Sequence, residues 1–372
     1  MKEFQVKPLA HAIVGCGRVA PNHVDGFSAL PDAEIRWACD RDLTRAQSLA
    51  REHGVPRTTS DPRIVLEDPA VDSVSIAVDH AQHAALATAA LEAGKHVLIE
   101  KPLALDPEDG AALHALAKRT GRVLSVVSQH RYDPVVTAVR DWIAAGLLGH
   151  LVSGTVSLQC GRDADYYAQS YWRGTWAGEG GSALVNQGYH ALDVARWLCG
   201  GLTVAGAAAG RTAPRGGMET EDTLAAVLRT PGGALLTYHV TVASSITWRS
   251  RIELIGTEGS VLFDLDHPGT LHLAEGGDAL RAAARAVIDR EVEPAPVGIG
   301  YYGISHRRQI ADFAAAVRDG HVMAASGEEG LHTLRLLDEL YRSARRVDTA
   351  SALGPAEAAT GAGLAASVAV RG

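Results

Sequence analysis

The chain has only four cysteines, Cys16, Cys39, Cys160 and Cys199, and no Cys-x-x-Cys pair, which excludes a zinc ribbon and a disulfide framework. None of its sixteen histidines falls in a His-x-x-x-His or His-Glu-x-x-His pattern, so no metal site is expected. Positive charge is scarce as well. A formal net charge of -8 argues against a nucleic-acid or anionic-membrane partner, since both demand clustered Lys and Arg. No apolar run reaches membrane-spanning length, and Met1-Lys2-Glu3-Phe4 lacks a signal-peptide pattern, so the expected location is the cytoplasm. Aromatic residues make up only 5% of the chain, which makes any cluster of them notable.

What is present is an ordinary globular composition, 47% hydrophobic and 21% charged, in 372 residues, too long for one core. From residue 10 to about 127, short apolar runs alternate with amphipathic, alanine-rich stretches, as βαβ units of a parallel sheet do. Strands are expected at 12–15, 34–39, 73–77, 96–99 and 123–127, with helices at 20–30, 43–52, 83–93 and 107–120. After Pro134 the pattern changes to a helix at 135–145 and strands at 154–158, 223–229, 234–243, 249–256 and 260–264, read as an antiparallel meander. Helices are expected again near 306–317 and 328–346. The fold class is therefore an α/β Rossmann domain with a doubly wound parallel sheet (1–128), followed by an α+β domain with an open, mostly antiparallel sheet (129–348). An Ala/Gly-rich tail (349–372) ends the chain.

The run from Ala12 through Gly15, Cys16, Gly17, Arg18 and Val19 to Ala20 has the strand-turn-helix pattern of a dinucleotide fingerprint whose third glycine is alanine. Gly15 permits the tight turn, Gly17 admits a pyrophosphate, and Ala20 lets the helix pack closely. The N–H groups that open the helix, beside Arg18 and Val19, face the phosphates. Asp40 closes the second strand, where a carboxylate accepts hydrogen bonds from ribose hydroxyls and repels a 2′-phosphate. NAD is favoured on that ground, while Arg41 next to it keeps NADP open. Lys101, in Glu100-Lys101-Pro102, follows the strand at 96–99, and its ammonium group is expected in the crevice outside the carboxyl end of the sheet.

Four blocks resemble the Gfo/Idh/MocA oxidoreductases: the turn at 15–20, Glu-Ala-Gly-Lys-His-Val-Leu-Ile-Glu-Lys-Pro at 92–102, the stretch 180–193 containing Asn186-Gln187-Gly188-Tyr189-His190 and Asp193, and the late helix with Gln309 and Phe313. The resemblance implies that Lys101 lies beside the nicotinamide and the substrate alcohol, with His190 as its partner. Asn186 stands where the family usually has aspartate, and it cannot take a proton. Lys101 and His190 are therefore expected to share the proton relay, with Asn186 hydrogen-bonding the substrate. By the same resemblance, Ala77, His80 and His83 after the strand at 73–77, together with Glu100 and Gln129, are placed at the cofactor. Tyr167, Trp172, Arg173, Tyr189 and Asp193 are placed at the substrate, and Tyr166 and Trp176 belong to the same aromatic wall. Tyr301, Tyr302 and His306 lead into a helix that approaches the pocket in relatives. For Arg131, contact with a ligand and a structural salt bridge are equally open.

These readings point to an NAD(P)-dependent oxidoreductase acting on a ring secondary alcohol of a sugar, glycoside or cyclitol, with C3 of a hexose derivative, nucleotide-linked sugars included, or an antibiotic-pathway sugar in view. Two alternatives stand beside it: an NAD-dependent glycoside hydrolase with transient C3 oxidation, and a non-catalytic NAD-linked regulator. A homodimer or homotetramer through the C-terminal sheet is expected from the resemblance.

Overall fold

The structure is a computed structural model that describes residues 7–213, 218–266, 269–288 and 303–350. Tyr301, Tyr302 and residues 351–372 of the expected tail lie outside the described residues.

The N-terminal half alternates β1 (Leu9–Val14), α1 (Ala20–Ser28), β2 (Ala33–Cys39), α2 (Leu43–His53), β3 (Arg57–Thr59), α3 (Pro62–Glu67), β4 (Ser73–Ile76), α4 (His83–Glu92), β5 (His96–Ile99), α5 (Pro107–Thr120) and β6 (Leu124–Val126). Every pair in this sheet is parallel, in the order β3-β2-β1-β4-β5-β6. The strand β3 was not anticipated, because Arg-Thr-Thr is too short and too polar to show a period. Central β1 is buried along its whole length, as a parallel strand covered on both faces must be. Its one polar side chain, His11, is satisfied by the hydroxyls of Ser73 (2.8 Å) and Ser75 (2.9 Å) on β4. Strand order reverses between β1 and β4, and the crevice outside that point is where such sheets bind ligands. Gly15, Asp40, Ala77, Glu100 and Val127 directly follow β1, β2, β4, β5 and β6, so five loops converge there.

The second half contains α6 (Pro134–Ala144), β7 (Leu151–Gln159), α7 (Ala164–Ala168), a π-helical turn (Ala183–Gly188) running into α8 (Tyr189–Leu198), β8 (Thr203–Gly210), β9 (Thr223–Arg229), β10 (Leu235–Thr241), β11 (Arg249–Gly256), β12 (Gly259–Phe263), β13 (Leu271–Gly276) and α9 (Asp278–Ile288). The sheet order is β13-β12-β11-β7-β10-β9-β8. It is mostly antiparallel, but it is not a meander: β7 and β10 pair parallel at its centre. The long excursion through α8, β8 and β9 returns the chain alongside β7 in the same direction, which a hairpin cannot do. The strand β8 escaped the sequence reading because Val-Ala-Gly-Ala-Ala-Ala-Gly lacks the β-branched alternation that marks its neighbours.

The inner sheet face, with Val156, Leu158, Tyr238, Ile252 and Phe263, packs on Trp142 of α6 and Leu192 of α8. On the outer face Val227, Leu235 and Ile255 are exposed. Two last helices, α10 (Gly303–Asp319) and α11 (Gly327–Ala350), return to the first sheet. Ile310 and Phe313 pack with Leu9 and Phe27, Leu331 and Leu334 join the core of α5 and β6, and Leu337 and Leu340 join that of the second sheet. The helix α11 thus clamps both cores. At the junction, fully buried Arg131 makes a two-pronged pair with Asp193 (2.7 and 2.6 Å) and reaches Glu329 (2.8 Å), to which Arg196 also bonds. Of the two readings open for Arg131, the structural salt bridge is the one formed. No helix among the described residues is long and apolar enough to cross a membrane.

Candidate active site

Gly15 has φ 98°, a left-handed conformation suited to glycine, and a Cβ there would overlap the Ala77 carbonyl. Around a Cβ built on Gly17 there is open space, so the backbone can be approached closely. Asp40 is held at the rim of this turn: Oδ2 accepts from Cys16 N and Oδ1 from Asp42 N, each at 2.9 Å. Arg41, next to it, lies over the Tyr171 ring at 4.5 Å, and both residues border the cleft.

These residues open into a cleft of about 850 Å³, within the range of ligand sites. One end is lined by Gly15, Gly17, Arg18, Val19, Asp40, Arg41 and Ala77, and the other by His80, Glu100, Lys101, Gln129, Asn186 and His190, with Trp172 and Arg173 alongside. The turn, the anchored carboxylate and the volume of the cleft fit a dinucleotide.

Five expected site residues do not line this cleft; one of them, Trp176, meets the Tyr341 ring edge-on at 5.5 Å. His83 is buried, with its ring nitrogens 2.6 Å from Pro102 O and 3.3 Å from Val78 O, so it braces the loops after β4 and β5. Tyr167 is buried with its hydroxyl 3.0 Å from Ser182 Oγ. Its neighbour Tyr166 lines the cleft and accepts from Asn186 Nδ2 (3.3 Å) and Gln187 Nε2 (3.1 Å). Tyr189 is part of the second core. Asp193 is taken up by Arg131 and Thr333, because a carboxylate this deeply buried must be paired.

Lys101 Nζ lies 2.8 Å from Asn186 O and 2.9 Å from Asn186 Oδ1. Burial brings its pKa down to about 8, against the pull of Glu100 and Glu179 and with the help of Arg173. In the neutral form an amine has two N–H bonds. Donating both to Asn186 leaves the nitrogen lone pair for a hydroxyl in the cleft. The π-helical turn carries Asn186, and the first turn of α8 that continues it carries His190, four residues on, to the same cleft wall. It also needs Gly188, where a Cβ would collide with the Tyr238 hydroxyl that donates to Gly188 O at 3.0 Å.

His190 Nε2 lies 3.4 Å from Gln129 Nε2, and its ring meets His130 edge-on at 5.2 Å. Burial, then the charges of His130 and Lys101, push its pKa well below the usual histidine value, so it stays neutral. Behind Lys101, Glu100 Oε1 lies 3.1 Å from His23 Nε2 and 3.8 Å from His306 Nε2. Burial would raise this carboxyl, but hydrogen bonds from His23 and His306 hold it well below the ordinary range.

Sequence reasoning did not single out Glu179. It sits in a Gly-Glu-Gly-Gly run that reads as a linker, yet its side chain is fully buried against Asn186.

Residues 9–128 match the model of an oxidoreductase family with an NAD-binding Rossmann fold, and residues 140–349 match that of the same family's C-terminal alpha/beta domain. The chain is 28% identical to levoglucosan dehydrogenase of Pseudarthrobacter phenanthrenivorans over 86% of its own length and 89% of that protein. To D-glucoside 3-dehydrogenase of Escherichia coli it is 27% identical, over 91% and 95%. Among solved structures, the WlbA dehydrogenase from Bordetella pertussis in complex with NADH and UDP-GlcNAcA superposes with a TM-score of 0.80 at 28% identity, covering 92% of this chain and 96% of that one.

Proposed function

The chain belongs to the Gfo/Idh/MocA oxidoreductases, a family of NAD-dependent sugar and cyclitol dehydrogenases, and from that premise we propose that it oxidises a ring secondary alcohol of a sugar derivative through Lys101 and His190. The observation that carries this reading is the Lys101 amine fixed on Asn186 at the C-terminal end of the parallel sheet, inside the dinucleotide cleft.

NAD supplies the hydride acceptor when bound, held by the turn at Gly15 and Gly17 and by Asp40. Lys101 takes the hydroxyl proton through its free lone pair. A pKa near 8 suits that role, because general bases work best when their pKa lies near the working pH. Neutral His190 stands on the same wall, where its Nε2 accepts from Gln129 Nε2 and its Nδ1 therefore carries the ring proton, which gives the relay an N–H donor beside the Lys101 amine.

The guanidinium groups of Arg162 and Arg173 lie 5.2 Å and 4.6 Å from the centre of the Tyr166 ring, and the buried Nε of each has no partner among the described residues. Two guanidinium groups with no ion-paired carboxylate among the described residues favour a substrate that brings its own negative charge. Within the sugar class, uronates and nucleotide-linked sugars fit best, and oxidation at C3 is a reading that one relative's name, D-glucoside 3-dehydrogenase, supports. We further propose a cytoplasmic homodimer or homotetramer joined through the outer sheet face, where Val227, Leu235 and Ile255 are exposed.

The test is a spectrophotometric screen of inositols, neutral hexosides, aminoglycosides, hexuronates and nucleotide sugars with NAD and with NADP. NADH formation with an anionic sugar is expected. Reduction with none of them would overturn the reading, and release of an aglycone without net NADH would replace it with hydrolysis by transient oxidation.

A further inference from the structure

Glu179 lies beside the cleft and has no role in the scheme above. Its side chain is fully buried; Oε2 accepts from Gly174 N at 2.6 Å and Oε1 from Asn186 Nδ2 at 2.5 Å. On the far side of the same amide, Asn186 Oδ1 accepts from Lys101 Nζ. Carboxylate, amide and amine thus form one hydrogen-bonded line.

A primary amide is nearly symmetric in shape, so packing alone does not choose between its two orientations. Hydrogen bonding does. An ionised carboxylate only accepts, which obliges Asn186 to offer it Nδ2 and to turn Oδ1 towards Lys101. In the flipped orientation Nδ2 would meet the hydrogens of Lys101 and Oδ1 would meet the carboxylate, an unfavourable contact on both sides. The direction of the Lys101 lone pair therefore depends on a residue it does not touch.

We propose that Glu179 is the positioning residue of the proton-transfer site, locking the Asn186 amide towards Lys101 and passing a negative charge through it to the ammonium that forms when the substrate hydroxyl gives up its proton. The inference rests on the proposed dehydrogenase reading for the last clause only. Neighbouring groups agree with it. Those facing Lys101 are Glu100, Glu179 and Arg173, with His80 and His190 alongside, so Glu179 supplies one of two negative charges there. Those facing Glu179 are Lys101 and Glu221. Burial raises the Glu179 carboxyl to about 7, while Gly174 N–H, Asn186 and Lys101 pull it down, so the ionised form of the lock predominates as pH rises above neutrality, where the amine works.

Two readouts test it on the full-length protein: NAD reduction against pH, and the pH dependence of Lys101 acetylation by acetic anhydride followed by peptide mass spectrometry, which needs no substrate. In Glu179→Gln the negative charge is lost, and the new amide sets one N–H against either Gly174 N–H or Asn186 Nδ2. The expected result is a kcat on the order of 10²-fold lower, with the Lys101 labelling midpoint and the acid limb of kcat/KM both moved down by about one pH unit. Adding Asn186→Asp to that variant returns a carboxylate directly to Lys101 and should restore the midpoint and most of kcat. NADH binding and thermal unfolding serve as controls for folding.

A Glu179→Gln protein with unchanged turnover and labelling midpoint overturns the proposal. So does a uniform loss of stability and NADH binding that Asn186→Asp does not repair, which would make Glu179 a purely structural residue. Should the parent protein reduce NAD with no sugar tested, the dehydrogenase reading falls, while the labelling midpoints still decide whether Glu179 acts on Lys101.

Discussion

Lys101 and Asn186 are held together by two hydrogen bonds, at 2.8 and 2.9 Å, although 85 residues separate them and they belong to different halves of the molecule. The amine comes from the loop after β5 and its two acceptors from the π-helical turn before α8. Neither half forms the site alone.

Replacing Lys101 by Met keeps the length of the side chain and removes the base. Turnover should fall by about 10²- to 10⁴-fold, the usual contribution of a positioned acid or base. NADH affinity, measured by fluorescence titration, should change little, because Gly15, Gly17 and Asp40 are untouched.

The pH profile follows from the sign of the Lys101 shift. Alcohol oxidation needs the neutral amine, so kcat/KM should rise with pH through about 8 and then level. The reverse reaction, ketone reduction, needs the ammonium and should fall over the same interval. Opposite limbs in the two directions, measured with one substrate pair, check the assignment.

Asp40 offers a second handle. Replacing it by Ala removes the carboxylate that accepts from Cys16 N and Asp42 N and would accept from the ribose hydroxyls of bound NAD. A lost hydrogen bond to a charged group is worth about 1.5–3 kcal/mol, so the Kd for NAD should rise by about tenfold or more. The ratio of NADP to NAD activity should rise with it, since Arg41 remains.

The Arg131–Asp193 pair predicts a stability effect distinct from catalysis. Burial alone would raise the Asp193 carboxyl, but Arg131 outweighs it and the pKa is lowered. A depressed carboxylate stabilises the fold above its unfolded pKa, near 3.8, and that contribution disappears as pH falls through the lower folded value. Arg131→Met strands the carboxylate and should cost about 3–5 kcal/mol at neutral pH in thermal or urea unfolding.

If the outer face of the second sheet joins subunits, a charge in its centre will separate them. Val227→Glu places a carboxylate on the exposed face of β9, opposite Thr237. Sedimentation velocity should show a smaller species than the parent, with the circular dichroism spectrum unchanged.

Much of the cofactor half was legible, because its constraints are local. Gly15 is required by a turn next to it in sequence, Asp40 ends a strand with a clear apolar pattern, and Glu-Lys-Pro follows another. The substrate side was less legible, because its decisive contacts are long-range. Nothing in the sequence distinguishes Tyr166, which faces the cleft, from Tyr167, which is buried; α7 has five residues and shows no period. Asp193 looked available until Arg131, 62 residues away, was found on it. Glu179 hid between glycines, where a charge ordinarily means solvent. The parallel pairing of β7 with β10 left no local trace at all, since register between distant strands is set by the path of the intervening chain.

The strand β10 has two sides with different neighbours. Inward, the Tyr238 hydroxyl holds Gly188 O in the turn that carries Asn186; outward, Leu235 and Thr237 lie on the uncovered surface. A strand moves as one body. If subunits join on that outer face and Lys101 is the base, a shift imposed there would reach the amide that aims its lone pair, and assembly and proton transfer would share a single mechanical element.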